Sequence, residues 1–69
     1  MKLIEFRQLK PEKGINYNKD WLRIKWRRGE FPAPVHLSSL HVAWVESEVD
    51  AWLVDRLAER DARLAETAE

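Results

Sequence analysis

The chain has 69 residues and a formal net charge of zero, which leaves room for a single domain with one small core. It contains no cysteine, so neither a disulfide nor a thiolate zinc site can stabilise it. No apolar run reaches the roughly 20 residues of a membrane span, and the N-terminal Met-Lys-Leu-Ile lacks the apolar stretch of a signal peptide. We therefore expect a cytoplasmic protein that forms one domain over residues 1–69.

The charges are unevenly distributed along the chain. Residues 1–44 carry nine lysines and arginines against four acids, a net charge of +5, whereas residues 45–69 carry three arginines against eight acids, a net charge of −5. A basic N-terminal part can bind phosphate even though the whole chain is neutral. A polarised surface with no ligand would have the same pattern, so charge alone leaves both interpretations open.

The N-terminal residues predict a short extended segment followed by a helix. Residues 2–6 alternate weakly between apolar and polar side chains, which fits a short strand or a lead-in. A helix is expected over residues 8–13, with Pro11 in its first turn, since proline lacks the N–H that the helix interior needs. Gly14 is expected to end this helix.

The next segment predicts a turn and a second helix. Residues 15–18 are typical of a turn, and Asn18 is a suitable N-cap for the helix that follows. That helix is expected from Lys19 to Arg28 and should end at Gly29. Two helices joined by a short turn form the pattern of a helix-turn-helix.

A β-hairpin is predicted after the second helix. Residues 31–34, Phe-Pro-Ala-Pro, cannot be helical because each proline pushes the residue before it into an extended conformation. Residues 35–37 and 41–44 are typical of two short strands, and residues 38–40 join them without the glycine that would strengthen the prediction. This hairpin would form a wing beside the helix-turn-helix.

A third helix is predicted from Val45 to about Ala65. Ser47 and Asp50 resemble a capping box at its start, and the last few residues of the chain are expected to fray. Apolar side chains at helical spacing predict a buried stripe. The stripe consists of Val49, Trp52, Leu53 and Leu57. The expected fold class is therefore mostly α: a small winged helix-turn-helix with three helices and one β-hairpin wing.

The second helix carries a basic stripe. Lys19, Arg23 and Arg27 follow one another at intervals of four residues, which places them on one face at about 100° per residue. The packing face is expected on the other side and consists of Tyr17, Trp21, Leu22, Ile24 and Trp26. A helix in the major groove needs this division, since arginine reads guanine edges and lysine grips phosphate. An ordinary helix with a solvated charged face is the alternative.

The hairpin carries two histidines, and other reactive constellations are scarce. His36 and His41 could each donate to a DNA phosphate, although a hairpin histidine is more often an ordinary surface residue. No metal site is expected, because no cysteine or carboxylate lies near them in sequence. Ser38-Ser39 lack the surroundings of a catalytic nucleophile, and the chain has no glycine-rich phosphate loop. We therefore expect no enzyme activity, no cofactor and no small-molecule ligand.

Three blocks of the sequence resemble the AlpA family of phage regulatory proteins, small relatives of the MerR-type winged helix-turn-helix proteins and of phage excisionases. The blocks are residues 14–19 (GINYNK), 29–35 (GEFPAPV) and 42–53 (VAWVESEVDAWL). The resemblance extends from about Leu9 to Glu59. It implies binding to double-stranded DNA, with the second helix as the recognition helix in the major groove and the hairpin as a wing on the backbone or the minor groove.

Carried over by position, the resemblance places Tyr17, Asn18 and Lys19 at the start of the recognition helix and Arg23 on its exposed side. His41 stands where the family usually has a basic wing residue. Together with the basic stripe, this predicts a set of DNA-binding residues. They are Asn16, Tyr17, Asn18, Lys19, Arg23, Arg27, His36 and His41.

The leading functional hypothesis is a sequence-specific transcriptional regulator of phage or prophage type. An excisionase-like architectural factor that directs site-specific recombination would use the same surface. A protein-interaction adaptor that acts through the acidic third helix is an alternative from a different class. Self-association on DNA is also expected from this helix, since Val54, Ala58 and Leu64 add apolar surface beyond the buried stripe.

Overall fold

The computed structural model describes residues 1–67, over which the chain forms three helices and one three-stranded antiparallel sheet. The strands are β1 (Leu3–Glu5), β2 (Val35–His36) and β3 (Val42–Val45), and the helices are α1 (Phe6–Lys13), α2 (Lys19–Arg27) and α3 (Glu46–Thr67). The mostly helical architecture expected from the sequence is confirmed. The fraying expected for the last few residues concerns positions that lie largely outside the described residues.

The N-terminal residues form a strand of the sheet. β1 pairs antiparallel with β3, with Ile4 opposite Trp44. On the other edge of β3, β2 pairs antiparallel with His36 opposite Val42. The strand order is therefore β1-β3-β2, and the hairpin is one edge of a sheet that also holds the N-terminus.

α1 begins at Phe6, two residues earlier than predicted. The side-chain oxygen Oε1 of Gln8 accepts a hydrogen bond of 2.8 Å from the backbone N–H of Glu5, which stabilises this earlier start. Pro11 consequently lies in the helix interior, and its predicted place in the first turn was wrong. Gly14 ends the helix with a φ of 70°, as expected.

α2 begins where the sequence predicted. The Asn18 side chain accepts a hydrogen bond of 2.7 Å from the backbone N–H of Trp21, so the predicted N-cap is confirmed. After the helix, Gly29 has a φ of 76°, a conformation that costs a residue with a Cβ atom more than it costs glycine. The inner face of α2 is set by Leu22, which is completely buried, and by Trp26, which is half-buried.

The inner face of α2 is narrower than predicted. The Trp21 side chain is 45% exposed and that of Ile24 is 40% exposed, so their assignment to the packing face was wrong. Tyr17 is half-buried against the core. Periodicity identifies a broad apolar arc, but the neighbouring elements cover only the part around Leu22 and Trp26.

α3 continues directly from β3, without a loop. The backbone N–H of Glu46 donates a hydrogen bond of 2.9 Å to the carbonyl of Lys2, which satisfies one of the free N–H groups at the helix start. Ser47 therefore lies inside the first turn, and the predicted capping box of Ser47 and Asp50 was wrong. Lys13 of α1 lies 3.5 Å from the Glu46 carboxylate and 2.8 Å from that of Asp50. The hydrogen bond to Asp50 raises the pKa of Lys13.

The first turns of α3 pack against the rest of the domain. Val49 is fully buried, and Trp52 and Leu53 are half-buried, which confirms this part of the predicted stripe. Leu57 is 49% exposed, so its assignment to the stripe was wrong. All residues from 54 to 66 are exposed, because the helix has by then passed the small core. Along residues 1–67, no helix combines the length and the apolar character that crossing a membrane requires.

Trp44 lies at the centre of the core. It is 1% exposed, and its ring meets those of Trp26 and Phe31 edge-on, at centroid distances of 5.8 Å and 6.1 Å. Its indole Nε1–H donates a hydrogen bond of 2.9 Å to the carbonyl of Pro32. The side chain thus joins β3 to α2 and to the segment between α2 and β2.

A second tryptophan holds the same segment from α3. The indole Nε1–H of Trp52 donates a hydrogen bond of 2.8 Å to the carbonyl of Glu30, and its ring packs edge-on against Phe31 at 4.9 Å. Residues 30–32 are therefore held between β3 and α3. The direction in which the chain leaves α2 for β2 is fixed by these contacts.

The contrast between Trp44 and Trp21 gives a stability test. Trp44→Ala should lower the free energy of unfolding by about 3–5 kcal/mol, because it removes a buried ring and leaves a cavity. Trp21→Ala removes a ring that is about half exposed and lies outside the core, so it should cost much less, about 1 kcal/mol including its contact with a lysine. Urea unfolding followed by circular dichroism measures both. Equal losses would show that Trp44 is not the centre of the core.

Candidate nucleic-acid interface

The basic stripe of α2 and the wing face each other across a cleft. We use "wing" for residues 35–42. Lys19, Arg23 and Arg27 line a cleft of about 440 Å³ together with His36 and Leu40 of the wing. The structure thus brings together four of the residues that the sequence singled out, three from α2 and one from β2. The cleft is open to solvent, and cationic side chains stand along one of its walls.

The arginines on α2 and at its C-cap stand without acidic partners in the described part of the chain. Among the described residues, no carboxylate lies within salt-bridge distance of Arg23, Arg27 or Arg28. Five cations elsewhere in the described residues form ion pairs: Lys2, Arg7, Lys13, Arg56 and Arg60. Lys10 of α1 forms none, so most, though not all, of the unpaired positive charge lies on α2 and at its C-cap, where an external anion can bind.

Two lysines of α2 lie over aromatic rings. The Lys19 ammonium is 5.3 Å from the centroid of the Phe6 ring. The Lys25 ammonium is 5.1 Å from the ring of Tyr17 and 5.4 Å from that of Trp21. Such contacts restrain an ammonium group without neutralising it. Tyr17, predicted as a DNA-binding residue, thus has a structural role in positioning Lys25.

The predicted residues before α2 lie outside the cleft. Asn16, Tyr17 and Asn18 line a separate depression beside α1, near Arg7 and Lys10. Asn16 is exposed, whereas the Asn18 side-chain oxygen is occupied by the cap of α2. These residues form the entrance to the helix and are not part of the wall that faces the wing.

His41 also lies outside the cleft, in a neighbouring depression that it shares with Lys19. Its backbone N–H donates a hydrogen bond of 3.2 Å to Oγ of Ser38, and its carbonyl accepts one of 2.9 Å from the N–H of Leu37. The Ser38 hydroxyl therefore closes the turn of the wing, which explains how the hairpin forms without a glycine.

The sequence pattern did not identify the residues of α2 that lie farthest from the core as candidate contact residues. Leu22 and Trp26 define the inward direction, and at about 100° per residue the opposite direction falls on Ile24, with Asp20 and Arg28 on either side of it. The basic stripe therefore lies on the flank that faces the wing. Arg28 follows Arg27 directly, and its charge alone would have been enough to include it among the predicted DNA-binding residues. Ile24 could not have been identified from the sequence, because its exposure depends on which part of the apolar arc the neighbouring elements cover.

The chain has similarities to known proteins. A family model described as "Prophage CP4-57 regulatory protein (AlpA)" matches residues 19–57, which extend from the start of α2 through the wing into α3. A protein of Enterobacteria phage P4, "Uncharacterized protein ORF88", is 53% identical over 34 residues. That stretch covers 49% of this chain and 39% of the phage protein, so the match leaves most of the relative's length uncovered. No solved structure matches the chain.

The cap of α2 gives a test of how the helix is positioned. Asn18→Ala should lower the free energy of unfolding by about 0.5–2 kcal/mol, because it removes the acceptor for the Trp21 N–H at the helix start. Asn16→Ala is the matched control, since Asn16 is an exposed asparagine just before the same helix. Urea denaturation of both variants measures the difference. If Asn16→Ala is as costly as Asn18→Ala, the cap is not what fixes the start of α2.

Proposed function

The chain belongs to the AlpA family of prophage regulatory proteins, and we propose that it is a sequence-specific DNA-binding transcriptional regulator of phage or prophage type. The observation that carries this proposal is the row of unpaired cations on α2, along a cleft whose other wall is the wing. An α-helix fits the major groove of B-DNA. α2 would enter that groove, while the wing reaches the backbone or the minor groove.

The charge distribution supports this orientation. Cations without a partner in the fold can neutralise phosphates and release counterions from DNA. Residues 45–69 carry a net charge of −5, so α3 is repelled by the same phosphates. The chain therefore approaches DNA with α2 first, although its overall charge is zero.

The wing makes a different kind of contact. No lysine or arginine occurs between Arg28 and Arg56, so the wing cannot clamp phosphates with permanently charged side chains. It offers His36, His41 and backbone N–H groups, along with the exposed Leu37 and Leu40. Its contribution to binding is polar and apolar, whereas that of α2 is largely ionic.

Two further functions are compatible with the structure, one through α2 and the wing and the other through α3. An excisionase-like architectural factor would bind DNA through the same α2 and wing. Promoter-reporter and recombination assays in the phage host, with the gene deleted, separate it from a transcriptional regulator. A protein-interaction adaptor would act through α3 instead, and the exposed Val54 and Leu57 favour a protein contact there. An adaptor has no need for the unpaired arginines of α2, which is why DNA binding is our first proposal.

Self-association on DNA is a second part of the proposal. A single recognition helix reads only a few base pairs, too few to locate one site in a genome. The part of α3 beyond the core has exposed Val54, Leu57 and Leu64, and Ala58 lies on the same side. Its acidic surface also complements the basic N-terminal part, residues 1–44, of a neighbouring copy. A head-to-tail contact of this kind would extend along repeated sites on DNA.

Arg23 is the central residue of the basic stripe and gives the first binding test. Arg23→Ala should weaken binding to a selected DNA site by about 1–3 kcal/mol and relax specificity at one position, if the guanidinium reads a base. Arg56→Ala is the control, because Arg56 pairs with Glu59 on the acidic helix and should leave affinity unchanged. Fluorescence anisotropy on specific and random duplexes measures both. Equal losses on the two DNAs would show that Arg23 contacts a phosphate.

The oligomeric state gives the second binding test. The free protein should be mostly monomeric, because the exposed apolar surface of α3 is narrow, and it should bind DNA cooperatively when two sites are adjacent. Sedimentation of the free protein, followed by titration onto duplexes with one and with two sites, measures both properties. A stable dimer at low micromolar concentration would contradict the first expectation. Equal affinity per site on the two duplexes would contradict the second.

A further inference from the structure

The outermost surface of α2 carries two apolar side chains in a basic setting. Ile24 is 40% exposed and Trp21 is 45% exposed. They are three residues apart on the helix, so they are neighbours on its surface. We call this pair the apolar crown. It lies beside the basic stripe and faces away from the core.

The fold gives the crown little reason to be apolar. The core contact of α2 is made by Leu22, which is completely buried, and by Trp26. Ile24 points in roughly the opposite direction, and a polar side chain at this position would be solvated just as well. Trp21 is held by the Lys25 ammonium at 5.4 Å, so its ring is fixed at the surface. An exposed aliphatic and a restrained aromatic side chain are therefore presented together.

The surroundings of the crown define its occupant. Asp20 and the C-cap residue Arg28 lie on either side of Ile24, and Arg27 lies next to Asp20. Neither arginine has an acidic partner among the described residues, and the cations around the crown outnumber the one carboxylate. A partner that is anionic overall and offers a small apolar group at its centre matches these surroundings. The major groove of DNA combines both properties, since phosphates border it and the C5-methyl group of thymine projects into it.

We propose that Ile24, with Trp21 beside it, contacts thymine methyl groups in the major groove and makes thymine a required base in the binding site. This inference rests on the proposed DNA-binding function. It adds a second kind of base contact to α2: the cations of the basic stripe bind phosphates or guanine edges, and the crown contacts thymine methyl groups. Arginines alone would favour guanine, so the crown adds thymine to what the helix can recognise.

The test removes the methyl group alone. Duplexes bound by the protein are selected from a random pool, and thymines in the selected site are replaced one at a time by deoxyuridine, which keeps the same base pairing. Affinity should fall about fourfold for each contacted methyl, which corresponds to about 0.8 kcal/mol for one buried methyl-sized group. In Ile24→Ala the ratio of affinities for the thymine and uracil duplexes should be close to one.

The ratio of the affinities for the thymine and uracil duplexes also distinguishes a lost contact from partial unfolding of the variant. Partial unfolding of a variant lowers its affinity for both duplexes equally, so the ratio is unchanged. The control is Arg56→Ala, which shortens an exposed side chain of α3 that pairs with Glu59 and lies outside the proposed DNA and self-association contacts. This variant should keep the fourfold ratio of the parent protein. A double-mutant comparison of this kind isolates the contact between one side chain and one methyl group.

Several outcomes would overturn the inference. Binding of selected DNA with no loss on any uracil substitution would overturn it and leave the proposed function intact, as would an Ile24→Ala variant that keeps the full ratio. A change in the sedimentation of the free protein on Ile24→Ala would make the crown a contact between copies of the chain. If no duplex is selected at all, the proposed function fails and the inference fails with it.

Discussion

Two indole N–H groups hold the segment on which the geometry of the interface depends. Trp44 of β3 donates to the carbonyl of Pro32, and Trp52 of α3 donates to that of Glu30. The segment contains prolines, which lack the N–H that a sheet ladder needs, so it cannot be held by regular backbone pairing. Its path is fixed instead by two of its carbonyl groups, each of which accepts a hydrogen bond from a tryptophan. Together with the pairing of β2 to β3 and the packing of Trp26 on Trp44, these two bonds position the wing relative to α2.

Two sets of cations in the chain have separate tasks. Lys2 and Lys13 both lie 3.5 Å from the Glu46 carboxylate, and Lys13 also reaches Asp50, so they join the N-terminal part of the domain to the start of α3. Arg23 and Arg27 of α2 have no such partners among residues 1–67. The first group is used within the fold, and the second remains available for an external anion. The neutral net charge of the chain therefore says little about its partner.

The sequence predicted those features that local signals decide. The N-cap at Asn18, the end of α1 at Gly14 and the left-handed Gly29 that follows α2 depend on a few adjacent residues. The same holds for the stripe of α2 that faces the cleft. Features that depend on distant neighbours were wrong. The exposure of Ile24 and Leu57 is set by how far the small core extends. α3 begins at Glu46, one residue after the predicted start, but the carbonyl of Lys2 accepts from its first N–H group in place of the predicted capping box. No local pattern reports either of these long-range effects. The crown was missed for the same reason.

The length of α3 has a consequence for how the domain opens. Its first turns are held by Val49, Trp52 and Leu53, whereas the remaining turns have water on every side and are supported mainly by pairs within the helix, such as Arg56 with Glu59. A helical stretch of that length is marginal without tertiary support. The free energy of local opening therefore falls along the helix, and its outer part behaves as a separate unit of low cooperativity. This outer part can melt and re-form while the sheet and the first two helices stay folded.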